Sequence, residues 1–478
     1  MDAFKADHVC GTCKTKKKRC DKILPICGYC SKRSLSCSYD TAAAAADDTD
    51  PAGHAPAVLL PRDWHRSGSN RLHGDASGIA SPPAASLKVS SLDATINRHL
   101  TNVLQDINLP IEVVIIRFFQ GFHKWLPIIS PRTLRDQVSQ NILYLADSAL
   151  LLLTMALFVE CPPKAPPRDG PEAALNPLFV FLRMLTAQVQ TERPLSLRLL
   201  QTHVLLAAYE YASGRPEVAY VSLNTCVGMA QAMQIPEYGK LRGEFGELCR
   251  SAEIVNTWWA IVILQRLTLI ECRRQIATPT TQFPNAVSPK PSDLVNDQPD
   301  GSLHRQFERQ AEAAFLFDQF LAARLLHDDA EKIAELQRVD NEILRLLQTV
   351  MREEGAASHN RFSAASATII RSLFALNEEL IAALSTPNAS EKAKDRIEFS
   401  KSAMHNLIRL VIDTGVHSLS SSTEPPVPCF LYLVRTAIGH AKSAVATHPG
   451  TFDAGDMDLL WRIEESLTSS RRRNETRE

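Results

Sequence analysis

Cys10, Cys13 and Cys20 recur seventeen residues later as Cys27, Cys30 and Cys37, so the N-terminal segment reads C-x2-C-x6-C twice. A repeat of this kind implies two similar half-units related by a pseudo-twofold. Zinc takes four ligands in a tetrahedron, and thiolates at C-x2-C spacing commonly supply them. Six thiolates cannot fill two separate tetrahedra, so a two-zinc site requires two bridging sulfurs. By symmetry these are equivalent cysteines, and Cys10 and Cys27, each leading its half, are the natural pair. One zinc on four cysteines with two spare thiols is an alternative that leaves the repeat unused. A RING-like or LIM-like module has longer gaps and usually a histidine ligand, and His8 lies outside the pattern.

About forty residues with few apolar side chains cannot bury a self-sufficient core, so metal binding must supply the folding free energy. Charge is concentrated in the same place. Lys14, Lys16, Lys17, Lys18, Arg19, Lys22, Lys32 and Arg33 face a single acid, Asp21, giving this segment +7 in a chain of net charge −1. A small basic head on an acidic body points to a polyanionic partner. The other cysteines (Cys161, Cys226, Cys249, Cys272 and Cys429) are scattered through apolar surroundings and read as buried thiols. Met1 to Val9 has no apolar signal-peptide stretch, and the longest apolar run, Ser148 to Val159, is shorter than the ~20 residues that span a bilayer. The expectation is a soluble intracellular protein with no membrane partner, whose N-terminal cysteines are reduced.

The stretch from Val9-Cys10-Gly-Thr-Cys13-Lys-Thr-Lys-Lys-Lys-Arg-Cys20-Asp21, through Pro25-Ile-Cys27-Gly-Tyr-Cys30, to Ser-Cys37-Ser-Tyr39 closely resembles the fungal binuclear zinc-cluster transcription factors. The resemblance implies two Zn2+ ions per chain, bridged by the first and fourth cysteines, and a loop proline, here Pro25, where the chain reverses. It also implies double-stranded DNA as partner, a nuclear location and regulation of RNA polymerase II transcription. Homodimerisation, contact with transcription machinery or co-regulators, and control of a metabolic or secondary-metabolite gene cluster belong to the same set of expectations. The family's usual Arg after the second cysteine is Lys14 here, which weakens an expectation of bidentate phosphate contact.

Five of the six residues between Cys13 and Cys20 are basic, against two between Cys30 and Cys37. Both halves should form short helices after the C-x2-C knuckle, the first reading DNA and the second supporting it. By resemblance, the end of the first helix enters the major groove over a CGG-like triplet. Lys16 and Lys17 match the base-contacting positions, since lysine donors suit the O6 and N7 acceptors of guanine. Lys14, Lys18, Arg19 and Lys22 fit phosphate contacts, which position without specifying. Lys16 to Arg19 also reads as a nuclear import signal. Each correct base pair contributes only ~1–3 kcal/mol of discrimination, so three pairs need a second module. Val89, Leu92, Ile96 and Val103 fit a heptad for a dimer, although His99 and Asp106 interrupt it.

The expected organisation is a zinc-cluster module over 1–40, a disordered low-complexity linker over 41–90, a helical regulatory domain over 91–300 and its helical continuation over 301–470. Glycine is scarce, about 4% of the chain against a usual ~7%, and no alternating strand pattern is present, so the fold class is all-α. Ile111, Val114, Ile115, Phe118, Phe119 and Phe122 recur at helical spacing. Ser130-Pro131 caps a helix whose stripe is Leu134, Val138, Ile142 and Leu145. Leu200, Val204, Ala207, Ala208 and Tyr211 precede a break at Gly214-Arg-Pro216. Ala219, Leu223, Cys226, Ala230 and Met233 follow it.

Phe118 to Ile129, Ala219 to Pro236, and Thr257-Trp258-Trp259-Ala260 through Gln265-Arg266 resemble that family's middle homology (fungal-specific regulatory) region, over Ile111 to Asn296. Val255-Asn256 and Gln265-Arg266 stand where arginines and Asp-Arg are usual. Trp258-Trp259 and His123 read as core. Leu336, Val339, Ile343, Leu346 and Val350 read as a bundle-facing stripe rather than a dimer zipper. The chain carries no P-loop, HExxH, GxSxG or dinucleotide fingerprint, so no active site is expected. The competing function classes are a zinc-stabilised protein–protein adaptor that does not bind DNA, and a helical enzyme with a structural zinc knuckle.

Overall fold

A computed structural model describes residues 9, 11–22, 27–33, 90–139, 145–166, 175–235, 248–272, 302–356, 363–385, 390–421 and 427–469. The expected linker, apart from Ser90, lies outside them. The chain divides into two units, Met1–Ala84 and Ala85–Glu478. Among the described residues every regular element is helical. The first unit contains α1 (Gly11–Thr15) and α2 (Gly28–Ser31).

The second unit opens with α3 (Ser91–Asp106), whose start is a capping box. Ser90 Oγ accepts from the Asp93 amide, and Asp93 Oδ2 accepts from the Ser90 amide, both at 3.1 Å. Then follow α4 (Ile111–Gln120), a 3-10 turn at Phe122–Lys124, α5 (Pro131–Ser139), α6 (Ala146–Glu160), α7 (Pro177–Glu192), α8 (Leu197–Ala212) and α9 (Pro216–Ala232). The long helices α10 (Leu248–Glu271), α11 (Ser302–Arg324), α12 (Asp329–Ala356), α13 (Ala364–Leu384), α14 (Glu391–Ser421), α15 (Pro428–Thr447) and α16 (Ala454–Ser469) complete it. Helices on both sides of residue 300 thus share one unit, and α10 packs on α11 and α13.

Two helices form the centre of the first half of this body. Ala146 to Phe158 on α6 and Arg198 to Ala212 on α8 are buried on every side. A helix apolar all round belongs inside a protein rather than at its surface. Around them pack α3, α4, α7, α9 and α10. In the second half α13 is the hub, touching α11, α12, α14 and α15. Tyr432 Oη on α15 donates to Tyr211 O on α8 at 2.7 Å, with the two rings stacked at 4.6 Å, and joins the halves. Arg266, fully buried, reaches Asp318 at 2.8 Å, and Arg371 reaches Glu271 at 2.8 Å.

Most of the expected periodicities are in place. Ser130 Oγ accepts from the Thr133 amide at the start of α5, Gly214 takes φ +80 between α8 and α9, and Leu336, Val339, Ile343, Leu346 and Val350 are buried within the body. Three expectations need correction. The stripe from Leu134 does not run to Leu145 on one helix, because Leu145 is the extended N-cap of α6, and Ile142 lies outside the described residues. Of the heptad residues, Leu92 and Ile96 are buried in the body's own core and Val103 packs against it, while Val89 lies outside the described residues; α3 packs on α6, and His99 meets Phe181 edge-on at 5.1 Å. Leu92 and Ile96 are therefore taken, and His99 is a packing residue. Cys226 and Cys429 are buried, but Cys161 and Cys272 are only partly so; the Cys249 side chain lies outside the described set.

The non-helical segment at 126–129 explains several polar side chains. Leu126, Ile128 and Ile129 are buried, so their backbone groups need internal partners. Asn256 donates to Pro127 O at 2.8 Å and Gln201 to Ile128 O at 2.6 Å, while Glu253 accepts from the Ser130 amide at 2.6 Å. Arg198 offsets the Glu253 charge at 3.2 Å. The Val255-Asn256 departure from the family pattern thus carries a structural bond.

Candidate zinc centre and DNA-binding surface

The seventeen-residue repeat is visible in the backbone. Gly11 opens α1 directly behind Cys10, and Gly28 opens α2 directly behind Cys27. Each helix therefore begins inside its C-x2-C knuckle rather than after it. The Gly28 amide donates to both carboxylate oxygens of Asp21 at 2.9 Å. A Cβ on Gly28 would lie 2.5 Å from Asp21 Oδ2, so any larger residue would push the carboxylate away from the amide.

Between the helices the sulfurs converge. The Sγ atoms of Cys13, Cys20 and Cys27 all lie within 4.8 Å of one another. Cys13 Sγ stands 3.6 Å from Cys27 Sγ and 4.0 Å from Cys30 Sγ. A zinc–thiolate tetrahedron with ~2.3 Å bonds has edges of about 3.8 Å, so these spacings fit a metal centre. Cys27 comes from the second repeat yet clusters with two cysteines of the first. Burial raises its thiol, but hydrogen bonds from the Cys30 backbone and to the Cys30, Cys13 and Cys20 sulfurs outweigh this and lower it, favouring the thiolate that a metal needs. Cys10 and Cys37 lie outside the described residues. By contrast, burial pushes the Cys226 and Cys429 thiols up to about 12, which keeps them protonated and unsuited to ligation.

The basic residues are distributed along the end of α1 and the turn beyond it. Lys14 is within the helix, and Lys16 bonds its amide back to Thr12 O at 3.0 Å. The Lys18 amide reaches Cys13 O at 3.0 Å and the Lys17 amide reaches Lys14 O at 3.3 Å, with Lys17 at φ 48. This is a Schellman termination with lysine at the left-handed position that glycine usually fills. Lys14, Lys16, Lys17, Lys18 and Arg19 are exposed, and Lys22, also left-handed at φ 61, is half-buried. The expectation of a charged helix is thus corrected: only Lys14 is on it, and the others leave its C-terminus.

Sequence reasoning did not single out Asp21, Gly28, Tyr29 or Arg33 as parts of this site. Arg33 lies over the Tyr29 ring, 5.0 Å from its centroid. The i,i+4 spacing of an aromatic and an arginine was the available signal.

In the body, His123 is buried and desolvation lowers it to about 3, which leaves it neutral and packed against Phe118 and Phe119. No described helix is long and apolar enough to cross a membrane.

Residues 8–45 match the fungal Zn(2)-Cys(6) binuclear cluster domain, and residues 115–380 match the fungal specific transcription factor domain. The second match extends well beyond the Ile111–Asn296 stretch marked by the motifs. No curated protein and no solved structure matches the chain. The binuclear cluster domain binds two zinc ions and DNA, and both domains are those of transcription factors, not enzymes. Since the second match spans more than half of the sequence, the chain belongs to the fungal zinc-cluster transcription factors, built from a six-cysteine DNA-binding head and a helical regulatory body.

Proposed function

We propose that this regulator acts in the nucleus on RNA polymerase II promoters, recognising CGG-like triplets with the turn that follows α1. The observation that carries the reading is the exposed Lys16–Arg19 turn, fastened by the Lys18 amide to the carbonyl of Cys13, a member of the sulfur cluster. A charged turn tied to the metal centre keeps its direction. In this reading Lys17 and Lys16 donate to guanine O6 and N7, and Lys14, Lys18, Arg19 and Lys22 contact phosphates. All six cysteines, Cys10, Cys13, Cys20, Cys27, Cys30 and Cys37, hold the two zinc ions, with Cys10 and Cys27 bridging. The place of Cys27 beside Cys13 and Cys20 supports that role.

Three base pairs do not define a genomic address, so the reading includes a second copy bound to a neighbouring triplet. Burial of Leu92, Ile96 and Leu100 in the body means that such a dimer uses another surface than the start of α3. Control of a metabolic or secondary-metabolite gene cluster is the part of the proposal that genome-wide binding sites would test.

The decisive experiment compares CGG-containing and scrambled duplexes across a salt series. Binding that prefers CGG and falls by ~0.9 log unit per log unit of salt for each phosphate contacted supports the reading. Lys17→Ala should abolish the preference while two zinc ions stay bound. Equal loss on both duplexes removes Lys17 from base recognition, and absence of DNA binding would favour a protein–protein adaptor.

A further inference from the structure

We propose that Arg33, held on the face of Tyr29, is a DNA-phosphate contact supplied by the second half of the zinc cluster; this rests on the proposed DNA-binding reading. Arg33 is exposed, but its surroundings constrain it at three points. Its Cζ lies 5.0 Å from the Tyr29 ring centroid, its Nη1 is 3.5 Å from Tyr29 Oη, and its amide donates to Cys30 O at 3.2 Å. Tyr29 is itself packed against the buried Cys13, Cys27 and Cys30. The guanidinium plane is therefore referenced to the metal centre, and ordering it on a phosphate costs less than ordering a free side chain.

The repeat indicates what this group does. Arg33 falls seventeen residues after Lys16, at the matching end of the second helix, whereas the counterparts of Lys14 and Lys17 are the neutral Ser31 and Ser34. The second half thus keeps a cation at the Lys16 position, with Lys32 beside it, and lacks a counterpart of the proposed guanine-reading Lys17. A planar fork of N–H donors suits a phosphate, and a contact of that kind positions without specifying. Among the described residues Arg33 is paired with no carboxylate. Asp21, the sole acid between Cys10 and Cys37, is engaged by the Gly28 amide.

The test uses the full-length zinc-loaded chain with CGG-containing and scrambled duplexes over a KCl series, comparing Arg33→Ala and Arg33→Lys with the unsubstituted protein. Arg33→Ala should weaken binding to both duplexes by a similar factor and lower the log–log salt slope by about 0.9, with two zinc ions retained. Arg33→Lys should keep the slope but bind less tightly than the parent, because the ring no longer orients the cation. An unchanged slope in Arg33→Ala, loss confined to the CGG duplex, loss of zinc, or full affinity in Arg33→Lys would each overturn the proposal. If the unsubstituted chain shows no CGG preference but Arg33→Ala still lowers the slope, the base-reading assignment fails and the phosphate contact stands. If it binds neither duplex, both fail.

Discussion

The carboxylate of Asp21 receives the Gly28 amide on both oxygens, and this joins the segment after the third cysteine to the first turn of the second helix. The interaction is charge-assisted but exposed, so its contribution is about 1 kcal/mol. Asp21→Ala should release zinc at lower chelator concentration than the parent, and Asp21→Asn, which keeps one acceptor, should fall between them. Gly28→Ala should resemble Asp21→Ala, since its Cβ would push the carboxylate off the amide and lose the same two bonds. Zinc retention in a chelator titration reads the order directly, and Gly28→Ala matching the parent would contradict it.

Lys17 occupies a left-handed backbone position, where an L side chain costs roughly 1–2 kcal/mol relative to glycine. Glycine would close the same Schellman turn more cheaply, so the lysine is there for its side chain. Lys17→Gly should raise the resistance of the head to chelator or heat while removing CGG preference. A variant that becomes less stable would show that the turn depends on Lys17 contacts rather than tolerating its strain.

The zinc head was legible because thiolate number and spacing are stoichiometric constraints: six sulfurs at a repeated spacing permit few metal arrangements. The helical body was legible wherever one face alone is apolar, as on α12, where Leu336 and Val339 face the interior. It was less legible at its centre. All faces of α6 and α8 are buried, so period alone does not say which neighbour each residue meets. The boundary near Leu145 was lost for a related reason, since an apolar N-cap continues the stripe of the helix before it. Polar partners of the buried 126–129 backbone were invisible, because Gln201, Glu253 and Asn256 lie 73 to 129 residues from the groups they satisfy. The extent of the heptad was misleading in turn, since a seam fits an intramolecular neighbour as well as a second copy.

Glu253 should be among the more sensitive positions of the body. It accepts from the Ser130 amide and faces Arg198, with both side chains less than a tenth exposed. Glu253→Ala leaves a buried guanidinium and a half-buried amide without that partner, a change worth roughly 3–5 kcal/mol. Glu253→Gln preserves an acceptor and should lose less. Denaturant unfolding followed by the helical signal measures both, and equal losses would mean that the charge alone matters.

Asp93 gives the body an acid-sensitive joint. Burial raises its carboxyl, but the amides of Ala146 and Ser90, the Ser90 hydroxyl and Arg193 outweigh this and hold it below its ordinary 3.8. A carboxylate depressed in the folded state contributes its full stability above the unfolded value and loses it as pH falls through the folded one. The contribution of Asp93 should therefore be lost on acidification below about pH 4, as pH falls from the unfolded value through the folded one. Asp93→Asn should be less stable at pH 7 and show a shallower decline toward acid. An unaltered pH profile would remove Asp93 from the acid response.

Removal of zinc should separate the two units. In the head, Cys13, Cys27 and Cys30 are the buried members of the described core, so the metal takes the place of an apolar interior. The body has its own extensive core spanning α3 to α16 and, among the described residues, holds no cysteine cluster. A strong chelator should abolish DNA binding and release two zinc ions per chain, while the helical circular dichroism contributed by α3 to α16 is retained. Restored zinc should restore binding. A broad loss of helix on chelation would mean that the metal also supports the body, and release of a single ion would break the shared-sulfur arrangement on which the repeat was read.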